Sequence, residues 1–251
     1  MRRGYPRLPP IPVRSLVPNV LTLLAMSAGL TAVRLAFLER WEHAVFAIIL
    51  AGVLDGLDGR IARLLKGTSK FGAELDSLSD VIAFGVAPAM VGYLWSLHQV
   101  RGIGWVLALA FCVCCALRLA RFNAVADDPD KPAWTVHYFI GAPAPIGAGI
   151  AVLPLILDFG LETDFFRTPA IAGAFMIASA FLMVSRVPTY SFKRIGVRRD
   201  YMLPVLIAVG LFAAMIASFF WITVAAAGLL YLGSILFAVR SFYKQAAAED
   251  G

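Results

Sequence analysis

The sequence predicts an all-α, polytopic membrane helical bundle of about eight transmembrane helices. Three observations carry that expectation. Of the 251 residues, 60% are hydrophobic and only 15% are charged, against roughly a quarter charged in a soluble domain. The apolar residues come in runs close to the ~20 residues that a helix needs to cross a bilayer. The basic residues fall between alternate runs, as they do when loops sort to one side of a membrane. Too little polar sequence remains for a second folded domain. The net charge of +6 then favours an anionic lipid surface, with no nucleic acid as partner.

Residues 1–16, MRRGYPRLPPIPVRSL, are basic and proline-rich and read as a tail without a stable fold. The first apolar run, 17–38, is too long for a secretory signal and lacks a small-residue cleavage site, so it reads as a retained span. Further spans are expected near 44–65, 72–98, 102–121, 143–158, 168–187, 202–219 and 221–240, with 241–251 as a second tail. The break at Ser218-Phe-Phe-Trp221 is weak, so six or seven helices is the competing count. With the N-terminus inside, all but Arg34, Arg40, Arg101 and Arg167 of the 22 basic residues lie on the inner side. Both termini are therefore expected in the cytosol. The stretch from Asp158 to Asp164 is acidic and falls outside. Pro88 and Pro154 read as helix kinks. Cys112, Cys114 and Cys115 share one apolar run with no histidine nearby, and read as small packing residues rather than a zinc site.

Against this background the segment 55–80 stands out. Ionisable groups inside membrane helices are costly and point to function. On a helix, Asp55, Asp58, Gly59, Ala62 and Arg63 share one face. In the next helix Gly72, Asp76 and Asp80 recur every fourth residue, while Glu74 points elsewhere. The short connection 66–70 makes the two helices antiparallel neighbours, so the two stripes can face each other. Four carboxylates so placed repel strongly in a low dielectric. Two hard divalent cations, Mg²⁺ or Mn²⁺ (Ca²⁺ in their place in a crystal), would relieve this while bridging a pyrophosphate. Gly59, Ala62 and Gly72 leave room for a ligand, and Arg63 could bind a phosphate. The competing readings are a packed polar network, acids reaching for water at the interface, and an ion-coupled transporter. A transporter would spread its acids along a path between repeated halves, whereas these cluster on adjacent helices and no repeat is visible.

The whole pattern, D-x-x-D-G-x-x-A-R-x8-G-x3-D-x3-D from Asp55 to Asp80, resembles the signature of the CDP-alcohol phosphatidyltransferases. The resemblance implies a helical membrane enzyme with a six-helix core, here followed by two C-terminal helices, and commonly a homodimer. It implies displacement of CMP from a CDP-linked lipid by an alcohol, with divalent metal. Carried over, Asp55, Asp58, Asp76 and Asp80 are the metal ligands and Asp80 also the base. Gly59, Arg63 and Ser69 match positions that contact the CDP-lipid. Asn19 matches an asparagine near the nucleotide phosphates, although a helix cap explains it equally well.

Four stretches are similar to the phosphatidylserine synthase branch: Phe71–Pro88, Arg118-Leu-Ala-Arg121-Phe-Asn123, Gly141–Pro145 and Leu182–Pro188. That likeness implies CDP-diacylglycerol and L-serine as substrates at the cytosolic face of a bacterial inner membrane. Serine would bring a carboxylate to an acidic site, which gives a physical reason for Arg118, Arg121 and Asn123 as serine-binding residues. Anchoring to lipid headgroups accounts for the two arginines as well, and for Arg186 and Lys193. Glycerol 3-phosphate, inositol phosphate and choline remain alternative acceptors.

Overall fold

The computed structural model describes residues 13–65, 67, 69–126, 138–185, 188–190 and 202–249. The two ends of the chain, Lys66, Thr68, His137, Arg186 and Lys193 lie outside the described residues. The helices are α1 (Val13–Phe37), α2 (Trp41–Leu64), α3 (Lys70–Asp80), α4 (Ala87–Trp95), α5 (Arg101–Ala126), α6 (Ala144–Ala151), α7 (Leu153–Leu161), α8 (Pro169–Val184), α9 (Met202–Ser218) and α10 (Phe220–Glu249). Two three-residue strands, β1 (Tyr138–Ile140) and β2 (Pro188–Tyr190), pair antiparallel with Tyr138 opposite Tyr190. Apart from this small ribbon the described elements are helical, as the all-α expectation has it.

Three helical segments are long and apolar enough to span a membrane: Leu16–Phe37, Lys70–Trp95 and Leu97–Ala124. The pair α6 and α7, bent by 48°, makes a fourth if taken as one span. Length and composition alone thus support a membrane bundle but not the full count of eight. α2 is long enough, but the charges in its second half set it apart from the other long helices. Its apolar first half packs Ala44, Val45, Ile48 and Ala51 into the core, opposite Ala32 and Ala36 of α1. Small side chains let these backbones approach closely, which is how membrane helices gain contact without a hydrophobic driving force. α1 is the spine of this half, resting on α2, α3 and α4.

Between α3 and α4 the helix widens into a π-turn, Val81–Val86. Pro88 explains it: proline has no N–H for the Phe84 carbonyl, and its ring would strike that carbonyl in a regular α-helix. Gly29 of α1 crosses this turn so closely that a Cβ would stand 2.7 Å from Ala83 Cα. The kink expected at Pro154 falls at the α6–α7 break, with Pro154 in the first turn of α7.

Some boundaries move. α1 begins by Val13 and carries Pro18 inside it, so residues 13–16 are helix rather than tail. α10 runs to Glu249, well into the segment read as the C-terminal tail. α9 has no buried residue.

Candidate functional site

α2 carries Asp55 and Asp58, and α3 carries Asp76 and Asp80. These two helices make almost no direct backbone contact; each leans on α1 instead. The resulting wedge between them holds the acids. Oxygen atoms of Asp55, Asp76 and Asp80 lie within 4.8 Å of one another, each carboxyl half-buried. Asp55 and Asp80 come within hydrogen-bonding reach. Arg118 of α5 is close enough to act electrostatically on both, and its guanidinium also sits 5.9 Å from the Phe122 ring centre. Among the described residues one cation faces three acids, which leaves the cluster undercompensated. A hard divalent ion favours carboxylate oxygens in such numbers, so these residues could hold one.

Asp58 stands apart from that trio. It is buried, 4% exposed, and Thr22 Oγ1 donates to its Oδ2 at 2.7 Å. The Pro18 carbonyl is a second acceptor for the same hydroxyl, at 3.1 Å. Ser79, the residue before Asp80, donates to the Thr22 carbonyl at 3.0 Å. Thr22 therefore ties both acid-bearing helices to α1. Neither Thr22 nor Ser79 is a fixed position of the acidic pattern. The available signal was that Thr22 follows Asn19 by three residues, on the same face of α1.

A cavity of ≈ 310 Å³ opens where α1, α2 and the start of α3 meet. Asn19, Thr22, Asp58, Gly59, Ala62, Arg63, Ser69, Gly72 and Asp76 are among its walls. Every residue expected to meet a CDP-linked lipid is thus brought to one space. Their local roles differ from the expectation in detail. Asn19 lies inside α1, not at its end, which removes the helix-cap explanation. Ser69 caps α3, its Oγ accepting from the Gly72 amide at 3.0 Å. A Cβ on Gly72 would stand 2.9 Å from Asn19 Oδ1, so this glycine makes room for Asn19. A Cβ on Gly59 would meet nothing within 4 Å, and that glycine keeps cavity space open. Arg63 Nε donates to the Gly59 carbonyl at 3.0 Å. Glu74 is exposed and off the acidic stripe, as expected.

The three residues considered for a serine carboxylate part company. Arg118 joins the acids. Arg121 donates from Nη1 to the Val184 carbonyl at 2.9 Å and from Nη2 to the Ser185 carbonyl at 3.4 Å, satisfying carbonyls that the end of α8 leaves open. Asn123 Nδ2 donates to Ser77 Oγ at 2.8 Å, pinning α5 to α3. Cys112 and Cys115 are free thiols packed beside Gly85 of the π-turn.

A polytopic helical bundle with acids facing one another across two helices defines a membrane protein with a concentrated acidic site that could hold a cation. A model of the CDP-alcohol phosphatidyltransferase family matches residues 15–188, and one described as CDP-alcohol phosphatidyltransferase 2 matches residues 200–235. The CDP-diacylglycerol–serine O-phosphatidyltransferase of Mycobacterium leprae (strain TN) is 37% identical over 228 residues, covering 90% of this chain and 75% of that protein. The protein of the same name from Helicobacter pylori (strain ATCC 700392 / 26695) is 36% identical over 186 residues, 74% of this chain and 76% of that one. That of Bacillus subtilis (strain 168) is 32% identical over 178 residues, 71% of this chain and 92% of that one. The chain belongs to the CDP-alcohol phosphatidyltransferase family and is an integral membrane protein.

Proposed function

We propose that the protein transfers the phosphatidyl group of CDP-diacylglycerol to the hydroxyl of L-serine, giving phosphatidylserine and CMP. The single observation that carries the reaction class is the Asp55–Asp76–Asp80 cluster beside the polar cavity. Serine as the acceptor is supported by the names of the relatives above and by the stretches around Arg118, Gly141 and Leu182. Asp55, Asp58, Asp76 and Asp80 would hold two divalent ions, Mg²⁺ or Mn²⁺. Such ions, when bound, neutralise the pyrophosphate and stabilise charge on the displaced oxygen.

The chain's own residues supply the rest. Asp80 takes the proton of the serine hydroxyl. The serine oxygen forms a bond to the lipid-side phosphorus, and the bond from that phosphorus to the oxygen of CMP breaks. Asn19, Gly59, Ala62, Arg63, Ser69 and Gly72 form the walls against the CDP moiety. Arg118 meets the serine carboxylate, while Arg121 and Asn123 hold α8 and α3 in place around it. Much of the rate comes from alignment of serine and phosphorus.

Eight spans, cytosolic termini, an inner-leaflet active site in a bacterial inner membrane and a homodimer complete the reading; the sidedness follows from the basic residues. The decisive assay is CMP release by purified protein in lipid nanodiscs with CDP-diacylglycerol, Mn²⁺ and a panel of alcohols. Serine should drive release well above glycerol 3-phosphate, inositol phosphate and choline. Release with another acceptor alone would overturn the assignment of serine; solute flux without any CMP release would overturn the enzyme.

A further inference from the structure

The acids of α3 have no direct hold on the acids of α2. The two helices make almost no backbone contact, and each leans on α1. The width of the wedge between them is therefore set by how closely each lies against α1. For α2 the long apolar first half makes that approach. For α3 it is made mostly beyond its own end. Ser79 is the one buried residue of α3, whereas the π-turn that follows, Val81–Val86, touches α1, α2, α5 and α6.

We propose that Gly29 of α1 is a positioning residue for this site: it seats the π-turn, and that seat fixes the gap between the α3 acids and the α2 acids. The proposal rests on the reading of those acids as a cation site. Asp80 ends α3 and stands between two contacts with α1. One residue before it, Ser79 Oγ donates to the Thr22 carbonyl at 3.0 Å. Three residues after it, Ala83, fully buried, lies over Gly29. A Cβ at Gly29 would come to 2.7 Å from Ala83 Cα and 3.1 Å from Ala83 Cβ. The nearer atom is main chain, so no change of rotamer makes room; α1 and the turn have to part. The turn has little slack on its other sides. Gly85 packs against Cys115 of α5, where a Cβ would stand 3.4 Å from the sulfur. Phe84, 1% exposed, lies over Gly52 of α2. A turn pushed off α1 therefore carries Asp80 with it, while Asp55 and Asp58 stay with α2. Gly29 itself touches neither a ligand nor an acid; it acts through the place of Asp80.

Gly29→Ala tests this in nanodiscs, with Mn²⁺ affinity read by electron paramagnetic resonance titration. Affinity should weaken about tenfold or more, as it does when a support behind metal ligands is lost. At saturating Mn²⁺, kcat for CMP release should still fall about a hundredfold, the scale of a misplacement near 1 Å. Gly147→Ala is the control. Its Cβ would stand 2.6 Å from Met183 Sδ, so it crowds α6 against α8, away from the acids. Its melting temperature should fall with Mn²⁺ affinity unchanged. Inserted Gly29→Ala protein with wild-type Mn²⁺ affinity and kcat would overturn the proposal, as would an equal loss of affinity in Gly147→Ala. No Mn²⁺ binding by the wild-type protein would sink the reading of the acids as a cation site, and the proposal with it. Should Gly29→Ala fail to insert, the other contact of the same seat decides. Ser79→Ala removes a hydroxyl without adding bulk and should weaken Mn²⁺ binding about threefold or more, with recovery in Ser79→Thr. Unchanged affinity in Ser79→Ala would then overturn the seat.

Discussion

Asp158 and the Asp55–Asp76–Asp80 trio are acids of the same kind in apolar helices, yet they are built in opposite ways. Asp158, 7% exposed at the far end of α7, is answered by the main chain. The Phe166 amide donates to its Oδ1 at 3.0 Å. Arg167, beside it, also donates to the Trp95 carbonyl at 3.3 Å and accepts from Ser96 Oγ at 2.6 Å. A buried carboxylate with backbone donors is a structural fastener. The trio has no such donors among the described residues; its members face one another, with Arg118 as their nearby cation. Asp58 lies between these extremes, with Thr22 as its donor. What distinguishes a functional acid in a membrane helix is thus not burial but how much of its hydrogen-bonding capacity the protein leaves open.

The largest expected effect comes from removing charge where that capacity is open. Asp80→Asn should lower turnover by about a thousandfold or more, the scale on which loss of a general base and of charge stabilisation act together. Its detergent-extracted melting temperature should hold or rise, because one of three mutually repelling carboxylates has gone. Chelation of divalent metal should likewise stop wild-type CMP release, with recovery on adding Mn²⁺. Near-normal activity in the variant would place Asp80 with Asp158, among the fasteners.

The acidic site was legible because it is a matter of local spacing. Asp55 and Asp58, and Asp76 and Asp80, each lie one turn apart, and a short connection turns the chain back so that the acids of the two helices meet across a wedge; that both helices would lean on α1 and not on each other was not legible. The kink at Pro154 and the outward Glu74 were readable for the same reason. What could not be read depends on partners distant in sequence. Nothing local tells that Thr22 will meet Asp58, 36 residues away, or that Arg121 will meet the end of α8, 63 residues away. The start of α1 was not legible either: a span beginning at residue 17 puts Pro18 in the first turn, where proline is favoured, whereas α1 begins by Val13 and carries the proline inside. The π-turn at Val81–Val86 was hidden too, since Pro88 announces a disturbance without saying whether the helix will bend or widen.

Thr22 sharpens the comparison at its midpoint. Thr22→Val keeps the shape and removes the only side-chain donor to Asp58 among the described residues. Mn²⁺ affinity, read by electron paramagnetic resonance titration of the folded protein, should weaken by about tenfold, the equivalent of ~1.4 kcal/mol for a hydrogen bond to a charged group. Thr22→Ser, which restores the hydroxyl, should recover most of it. If valine and threonine bind Mn²⁺ alike, the bond to Asp58 is packing alone, and Asp58 belongs with neither class.

The smallest effect on catalysis is expected at the fastener itself. Asp158→Asn keeps one acceptor oxygen for the Phe166 amide but exchanges a charge-assisted bond for a neutral one. Stability should fall by about 1–2 kcal/mol, seen as a lower melting temperature in detergent, while kcat/KM for CMP release changes less than twofold. Asp158→Ala, which leaves the Phe166 amide without its side-chain acceptor, should cost about 1–3 kcal/mol and still release CMP at a near wild-type rate per folded molecule. That pairing separates the two kinds of acid: one variant set loses fold and keeps chemistry, the Asp80 variant loses chemistry and keeps fold. A catalytic collapse at Asp158 with stability intact would mean that the far end of α7 takes part in the reaction, and that an acid's hydrogen-bond satisfaction is no guide to its role.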